Sequence, residues 1–522
     1  MRRFFNRAWL VTKIGFVSCL LIQCTGIQKE LNTKAIPYNN SPEAAEVYLR
    51  VHMQDGTLFH FEKWVVLDTL QIIEGKGMRY DRNRHQVEAP PDSVFSVPLS
   101  DIALFETNQV KRGAGSLPVF AAMAMAPSAI VTIICIVDPK ACFGSCPTFY
   151  AWDGTNMKLM AEGFSSSIAK VFEESDIDML YHARAEGNVF TLRLTNEALE
   201  SHAVKFADLF IVPRKNVERV FATSDGEFFV TDKIVKPSAC IGPEGNCLEK
   251  VLEMDQTERY STTDPENLLE KETLEITFVD PPKGEYGLII GSRQTFLTTF
   301  LFYQGMAYAG SKVPYLMAEV ERGNKKMQGY LARIWDMLGP IEIFVQNNSG
   351  KWVKTGEITE MGPIAADNRI IRLPDNSGNE LKVRLRMTKG LWRIDQLGLV
   401  PTDRPVEPER LHPYMVLKDS VEDQVALAML LDTTAYLVTE PGDAYDLFYK
   451  LPGTGNEYEF FLFTRGYYLE WMREQWLAEE DLHKLFMMCV FPRHYLKSAA
   501  HEFKIIEPGM EEMFWNSRYV KN

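Results

Sequence analysis

IEIFVQNNSGKWVKTGEI (Ile341–Ile358) and NRIIRLPDNSGNELKVRLRMTKGLWRIDQLGLV (Asn368–Val400) carry the pattern that decides the fold. Apolar and polar residues alternate through IEIFVQ, KVRLRM and WRIDQLGLV, the period of two of a half-buried strand. The breaks NNSG and PDNSGN supply Asn, Asp, Ser and Gly, residues suited to tight reversals. Short strands joined by such turns predict a β-sandwich in which Trp392 faces inward and Asn347–Lys351 is an exposed turn. The same pattern extends outward. EVYLRVHM (Glu46–Met53) and TLFHFEKW (Thr57–Trp64) flank an Asp-Gly turn, a strong hairpin signal, and TLQIIEGKGMRYD and VFSVPLSDIALFET add further strands. A second hairpin is expected around Asp153-Gly154, followed by FTLRLTNEALE, VKFADLFIVPR and LEITFV as strands. Phe296, Phe300 and Tyr303 are spaced for one side of a helix.

The strands of residues 44–110 resemble a small SH3-like or Sm-like barrel, and WRIDQLGLV resembles the last strand of galactose-binding-like jelly rolls. The expected fold is therefore mainly β with helical insertions and multidomain: a small barrel followed by β-sandwich domains, one of them jelly-roll-like. The expected division is a signal peptide at 1–24, the barrel at 44–110, an apolar segment at 111–137 and a β-rich domain at 138–280. A helical segment plus jelly-roll sandwich follows at 281–400, then a Pro-rich linker at 401–413 and a mixed α/β region at 414–522.

The 522 residues suffice for several cores, and a net charge of -14 with no basic stripe disfavours nucleic acid as a partner. Arg2, Arg3, Arg7 and Lys13 precede the apolar run Ile14–Ile22, the order of a secretory signal. LLIQC, ending at Cys24, resembles a bacterial lipobox, departing from it at Gln23; FVSC, ending at Cys19, is the weaker candidate. The resemblance implies lipidation of Cys24 and attachment to a membrane through that lipid. Export would place the remaining cysteines in an oxidising compartment, where close pairs become disulfides. Cys142 and Cys146 (CFGSC) and Cys240 and Cys247 (CIGPEGNC) are the close pairs, and neither has a histidine nearby to complete a zinc shell. Two local bridges are expected, and no metal or cofactor.

LPVFAAMAMAPSAIVTIICIV (Leu117–Val137) is long enough to span a bilayer. Lys111 and Arg112 lie on the wrong side for a stop-transfer segment and Pro127 divides the run, which favours burial; a membrane-facing surface helix remains the alternative. The histidines form no HExxH motif, and no GxSxG, phosphate-binding loop or GxGxxG is present. The carboxylates of EESDID (Glu173, Glu174, Asp176, Asp178) read as a solvated loop or weak cation site. Trp352, Trp392, Tyr467, Tyr468, Trp471 and Trp476 could stack on sugars, but their spacing favours core packing.

DGTLF, CFGSCPTFY, LTTFLFYQ, LWRID and GYYLEWMREQW occur in an order that resembles a group of large envelope lipoproteins of Gram-negative bacteria with no assigned reaction. The resemblance implies a location on the periplasmic or cell-surface side of a membrane and supplies no catalytic residue. The expected function is a non-enzymatic scaffold that binds an envelope protein, a glycan or another ligand. The alternative is an extracytoplasmic glycan-active hydrolase whose paired carboxylates converge only in three dimensions.

Overall fold

The computed structural model of the chain describes residues 29–37, 46–53, 57–67, 69–80, 86–87, 93–112 and 146–518, the last without 199, 322, 360–361, 376–377, 440, 454–456, 471–475, 477–478 and 517. Strand outweighs helix, 46% against 22%, and the strands are organised in several antiparallel sheets as the alternating patterns require. Cys24, Cys142, Trp471 and the apolar run at 117–137 lie outside the described residues.

The N-terminal sheet orders its strands Lys29–Pro37, Ile102–Arg112, Glu46–Met53, Leu58–Leu67, Ile72–Tyr80 and Gln86–Val87, with Val94–Pro98 also on Ile72–Tyr80. The strands on either side of Asp55-Gly56 pair antiparallel, with Leu49 opposite Phe61 and Val51 opposite Phe59, while the two turn residues lie outside the described residues. Leu49, Val51, Phe61, Ile73, Val97 and Ile102 form its core. The small barrel-like unit expected for residues 44–110 is not closed. Val94–Pro98 ends on Ile72–Tyr80, a single 3-10 turn at Leu99–Asp101 follows, and the next strand pairs with Glu46–Met53 instead.

The remaining strands build four stacked sheets. Sheet 1 runs Val421–Glu422, Met415–Lys418, Ala444–Lys450, Val189–Thr195, Thr148–Trp152, Met157–Glu162. Sheet 2 runs Glu174–Met179, Glu457–Glu470, Glu200–Arg214, Glu409–Leu411, with Leu437–Thr439 also pairing with Glu200–Arg214. Sheet 3 runs Trp392–Pro401, Tyr286–Gln294, Asp367–Leu373, Arg219–Ala222, Phe228–Thr231, Pro405–Val406. Sheet 4 runs Gly245–Asn246, Ala239–Gly242, Lys271–Val279, Glu380–Thr388, Ile341–Gln346, Trp352–Ile358.

The side-chain period of two decides the stacking. Leu209, Ile211, Phe460 and Leu462 of sheet 2 join Phe149, Phe190, Leu192 and Leu447 of sheet 1 in one apolar layer. The residues between them in sequence, Phe210, Val212 and Phe461, turn to the other face and meet Ile289, Ile370 and Val400 of sheet 3. Sheet 3 repeats the device: Leu288, Ile290 and Leu399 face Ile276, Ile343, Val383 and Leu385 of sheet 4. Both inner sheets are thus apolar on both faces, which is why Tyr286–Gln294 is buried throughout. The sequence-predicted sandwich is present: Trp392 is fully buried in this last layer and Asn347 to Lys351 is an exposed turn held by the Asn347 side chain.

Helices cover the end of the sheet 3–sheet 4 sandwich: α1 (Leu297–Ala309), α3 (Lys325–Leu338), α5 (Leu482–Val490), α6 (Pro492–Ile506) and α7 (Met510–Asn516), with α2 (Val313–Glu321) packed on α1 and α3, while α4 (Gln424–Leu431) packs where sheets 1 and 2 meet. Phe296 and Phe300 do lie on the buried side of the expected helix, against Phe514 and Phe503. Asn324 and Asp481 start α3 and α5 by accepting from first-turn amides. Within the expected Pro-rich linker at 401–413, two short stretches pair with sheets. Pro405–Val406 pairs with Phe228–Phe229 at the edge of sheet 3, where a proline's missing N–H costs no ladder bond, and Glu409–Leu411 pairs with sheet 2.

Candidate functional site: an acid-floored cavity

A cavity of about 360 Å3 opens where the ends of sheets 1 and 2 meet α1, α3 and the loop at Gly362 and Pro363. Its floor is acidic. Glu162 closes the strand Met157–Glu162, while Glu200 opens and Glu470 closes two paired strands of sheet 2. Glu174 and Asp336 stand at the exposed rim. Cys146, Ser165, Tyr303, Tyr468, Gln294 and Gln328 supply further polar atoms; Phe302 and Trp335 supply an aromatic wall, and no Lys, Arg or His is among the described lining residues.

Each deep carboxylate is held in a way that ordinary strand chemistry does not favour. Glu200 and Glu470 are directly opposite across the ladder, an arrangement in which like charges repel. His202 Nε2 pairs with Glu200 Oε1 at 2.8 Å in a fully buried setting, and the Tyr303 hydroxyl donates to Glu470. Glu162 is 4% exposed; the Ile364 amide donates to its Oε2 at 2.8 Å, and its Oε1 is buried and accepts no hydrogen bond. Burial raises its pKa to about 7, against the pull of the backbone amides that donate to it. The loop reaches Glu162 only because residue 362 is glycine: a Cβ there would lie 2.0 Å from Oε2. The Cys146 thiol is raised by burial and by the fields of Glu162 and Glu200, which makes it a poor nucleophile. Tyr468 is raised by burial and the same negative surroundings.

Behind Glu162, sheets 2 and 3 share a second acidic group. Arg369 pairs with Asp176 at 3.3 Å and with Asp367, while Asp178 lies beside them. Asp367 accepts from the amides of Met179 and Asn368, both at 2.8 Å. One guanidinium faces three carboxylates, and burial, with Asp176 and Asp367 beside it, pushes Asp178 well above the usual carboxylate range. The EESDID segment is therefore not a solvated loop: Glu174–Met179 is a strand. Glu173 pairs with Lys170 and with Arg465 Nε at 2.8 Å.

Of the two expected staples, Cys142–Cys146 has one partner, Cys142, outside the described residues. Cys146 is a buried thiol at the cavity, 3.6 Å from the Ser165 carbonyl. Cys240 and Cys247 face each other in a hairpin at the edge of sheet 4 with Sγ atoms 2.9 Å apart, both as thiols. Tyr467, Tyr468, Trp392 and Trp476 are core residues, and the Lys170 ammonium lies 4.2 Å from the Tyr436 ring and 5.2 Å from Tyr467. Trp352 is covered by the Arg384 guanidinium at 4.1 Å. Sequence reasoning missed Glu162, Glu200 and Glu470. The available signal was ESHAV: Glu200 and His202 occupy the same strand phase as the fully buried Val204.

No protein-family model and no curated protein matches the chain. Among solved structures, BuGH86wt in complex with neoagarooctaose matches at 7% identity over 43% of this chain and 33% of its own, with a TM-score of 0.15. A beta-porphyranase of glycoside hydrolase family 86 from Bacteroides plebeius matches at 9% identity over 49% of this chain and 42% of its own, with a TM-score of 0.14. A GH31 alpha-xylosidase from Xanthomonas citri matches at 9% identity over 81% of this chain and 38% of its own, with a TM-score of 0.15. The chain thus corresponds to less than half the length of each, and likenesses at this level carry no argument about what it does.

Proposed function

We propose that the chain is a lipid-anchored protein of the cell envelope, held to a membrane through Cys24, that works as a non-enzymatic ligand-binding scaffold. The observation that carries the binding part is the cavity: several hundred Å3, a carboxylate floor, an aromatic wall and no cation among its described lining residues. Such a site favours a small molecule bearing positive charge or many hydrogen-bond donors, and it repels phosphates, in keeping with the net charge of -14. A glycan or a protein of the envelope is the setting in which such a group would be presented. The anchoring part rests on the signal-like N-terminus and is tested by Cys24→Ala, which should release the protein from membranes or stall its processing; unchanged fractionation and mature mass would remove it. The binding part is tested by calorimetry with ethylammonium and with neutral oligosaccharides. Binding of either that weakens at least tenfold in Glu470→Gln, with the melting temperature held, supports the reading.

One observation favours the hydrolase alternative. A carboxyl with a pKa of about 7 beside other carboxylates is what a general acid in glycoside cleavage requires. Reducing-end release from envelope glycans that disappears in Glu162→Gln would replace the scaffold with an enzyme.

A further inference from the structure

A second cavity of about 110 Å3 lies between α1, α2, α3 and α5. Met306, Met317, Met327 and Met488 line it, with Val313 and Ile334 among the remaining apolar groups. It adjoins the acid-floored cavity: three residues, Phe302, Leu331 and Trp335, line both. Phe302 and Trp335 meet edge to face there, with ring centroids 6.4 Å apart. One compartment is therefore negative and hydrogen-bonding, the next is apolar, and aromatic rings stand between them.

We propose that the two compartments together form one site for a soluble cationic amphiphile, an amine or quaternary ammonium on a short apolar chain. This deepens the binding reading above and rests on it. The head would lie over Glu162, Glu200 and Glu470. The first turn of α1, which contributes Thr298 and Thr299 to the cavity, carries about half a positive charge and cannot outweigh this floor. The buried Oε1 of Glu162, without a hydrogen bond, is the group a donor-bearing head would satisfy. At the seam the faces of Phe302 and Trp335 suit a cation close to its alkyl stem. The tail would enter among the methionines, whose unbranched thioethers adapt to chains of different shape. An anionic amphiphile is disfavoured by the floor, and a bilayer lipid by the size of the apolar compartment.

The test is equilibrium binding of the full chain to n-alkylammonium ions from ethyl to octyl, with n-alkyl sulfates of the same lengths as controls. The expected result is an affinity that rises about fourfold for each methylene added, then levels once the apolar compartment is filled. Sulfates should bind at least tenfold more weakly at every length. Gly305→Leu should abolish the increments while leaving ethylammonium binding in place. Residue 305 faces the Met488 thioether, 3.5 Å from where a Cβ would stand, so a larger side chain would occupy the tail space. The slope in the wild-type chain decides the matter even if that variant does not fold. Ethylammonium binding with no dependence on chain length would overturn the shared site and leave the binding reading standing. Equal affinity for sulfates would overturn the head assignment. No binding by any member of either series would remove both the shared site and the cation-binding reading beneath it.

Discussion

Glu162 sits at the end of a strand with the Ile364 amide on one oxygen and the Cys146 thiol nearby, and burial there brings its pKa to about 7. Asp176, Asp178 and Glu200 contribute to the same negative surroundings, with Arg369 the cation behind them. A carboxyl raised from 4.5 to about 7 on folding binds its proton more tightly in the native state. Its contribution is therefore fully present below pH 4.5 and lost as the pH rises through 7. Two and a half pH units correspond to about 3 kcal/mol. Denaturant unfolding should show wild-type stability falling between pH 4 and pH 9, and Glu162→Gln, which cannot ionise, should fall by about 3 kcal/mol less. Asp178, Asp367 and Asp395, all raised chiefly by burial, leave the variant with a residual slope of the same sign. The two thiols of sheet 4 make a separate prediction. Cys240 and Cys247 need only a small approach to bond, and closing so short a loop adds about 2.5 kcal/mol in the chain-entropy relation. Oxidised protein should yield a bridged Cys240–Cys247 peptide on non-reducing mapping and should melt higher than reduced protein; free thiols after oxidation would rule the bridge out.

The strand Glu457–Glu470 shows how one element serves two cores. Phe461 lies in the layer between sheets 2 and 3, edge-on to Phe228 at 5.0 Å, while Leu462 lies in the layer between sheets 2 and 1. Both are fully buried, so Phe461→Ala should cost about 3–5 kcal/mol and Leu462→Ala about 2–5 kcal/mol. If the layers are energetically joined, both variants should shift the same unfolding transition; two transitions moved separately would show independent sandwiches. This strand also marks how far the sequence could be read. Its alternation EYEFFLFTRGYY is visible, as are the hairpins at Asp55-Gly56 and Asp153-Gly154 and the inward Trp392, because period and turn chemistry are local. FFLF, apolar at every position, signals burial on both sides but names neither neighbour. The partner of each strand is set by packing across hundreds of residues, so Pro405 and Val406 read as linker although they finish a sheet edge. The site was illegible for the same reason: Glu162, Glu200 and Glu470 come from three strands, and only the departure of Glu200 and His202 from an apolar phase hinted at it.

Across the whole molecule, sheets 1 and 2 are assembled from two arms of the chain, residues 148–214 and 409–470, while sheets 3 and 4 use the residues between. Arg214 and Glu457, joined at 3.0 Å, are 243 residues apart. The intervening unit returns its own ends to one place: Arg404 reaches Glu218 at 2.8 Å, and its carbonyl accepts from the Val230 amide. That closure has a consequence for the order of events during synthesis. The first arm leaves the ribosome, or the export channel, well before the strand that completes it, and must wait with Phe149, Phe190 and Leu209 uncovered. Residues 215–404 can form their sheets meanwhile, before α5–α7 arrive to cover their end, which shortens the remaining closure to roughly 50 residues and lowers its entropic cost by about 1 kcal/mol. Chains arrested before residue 457 should therefore show a protease-resistant inner unit, a protease-sensitive first arm and strong binding of an apolar dye. The inner sandwich is in this sense a template, and the outer one, which carries Glu162, Glu200 and Glu470, becomes able to hold a ligand only once the strand Glu457–Glu470 has been made.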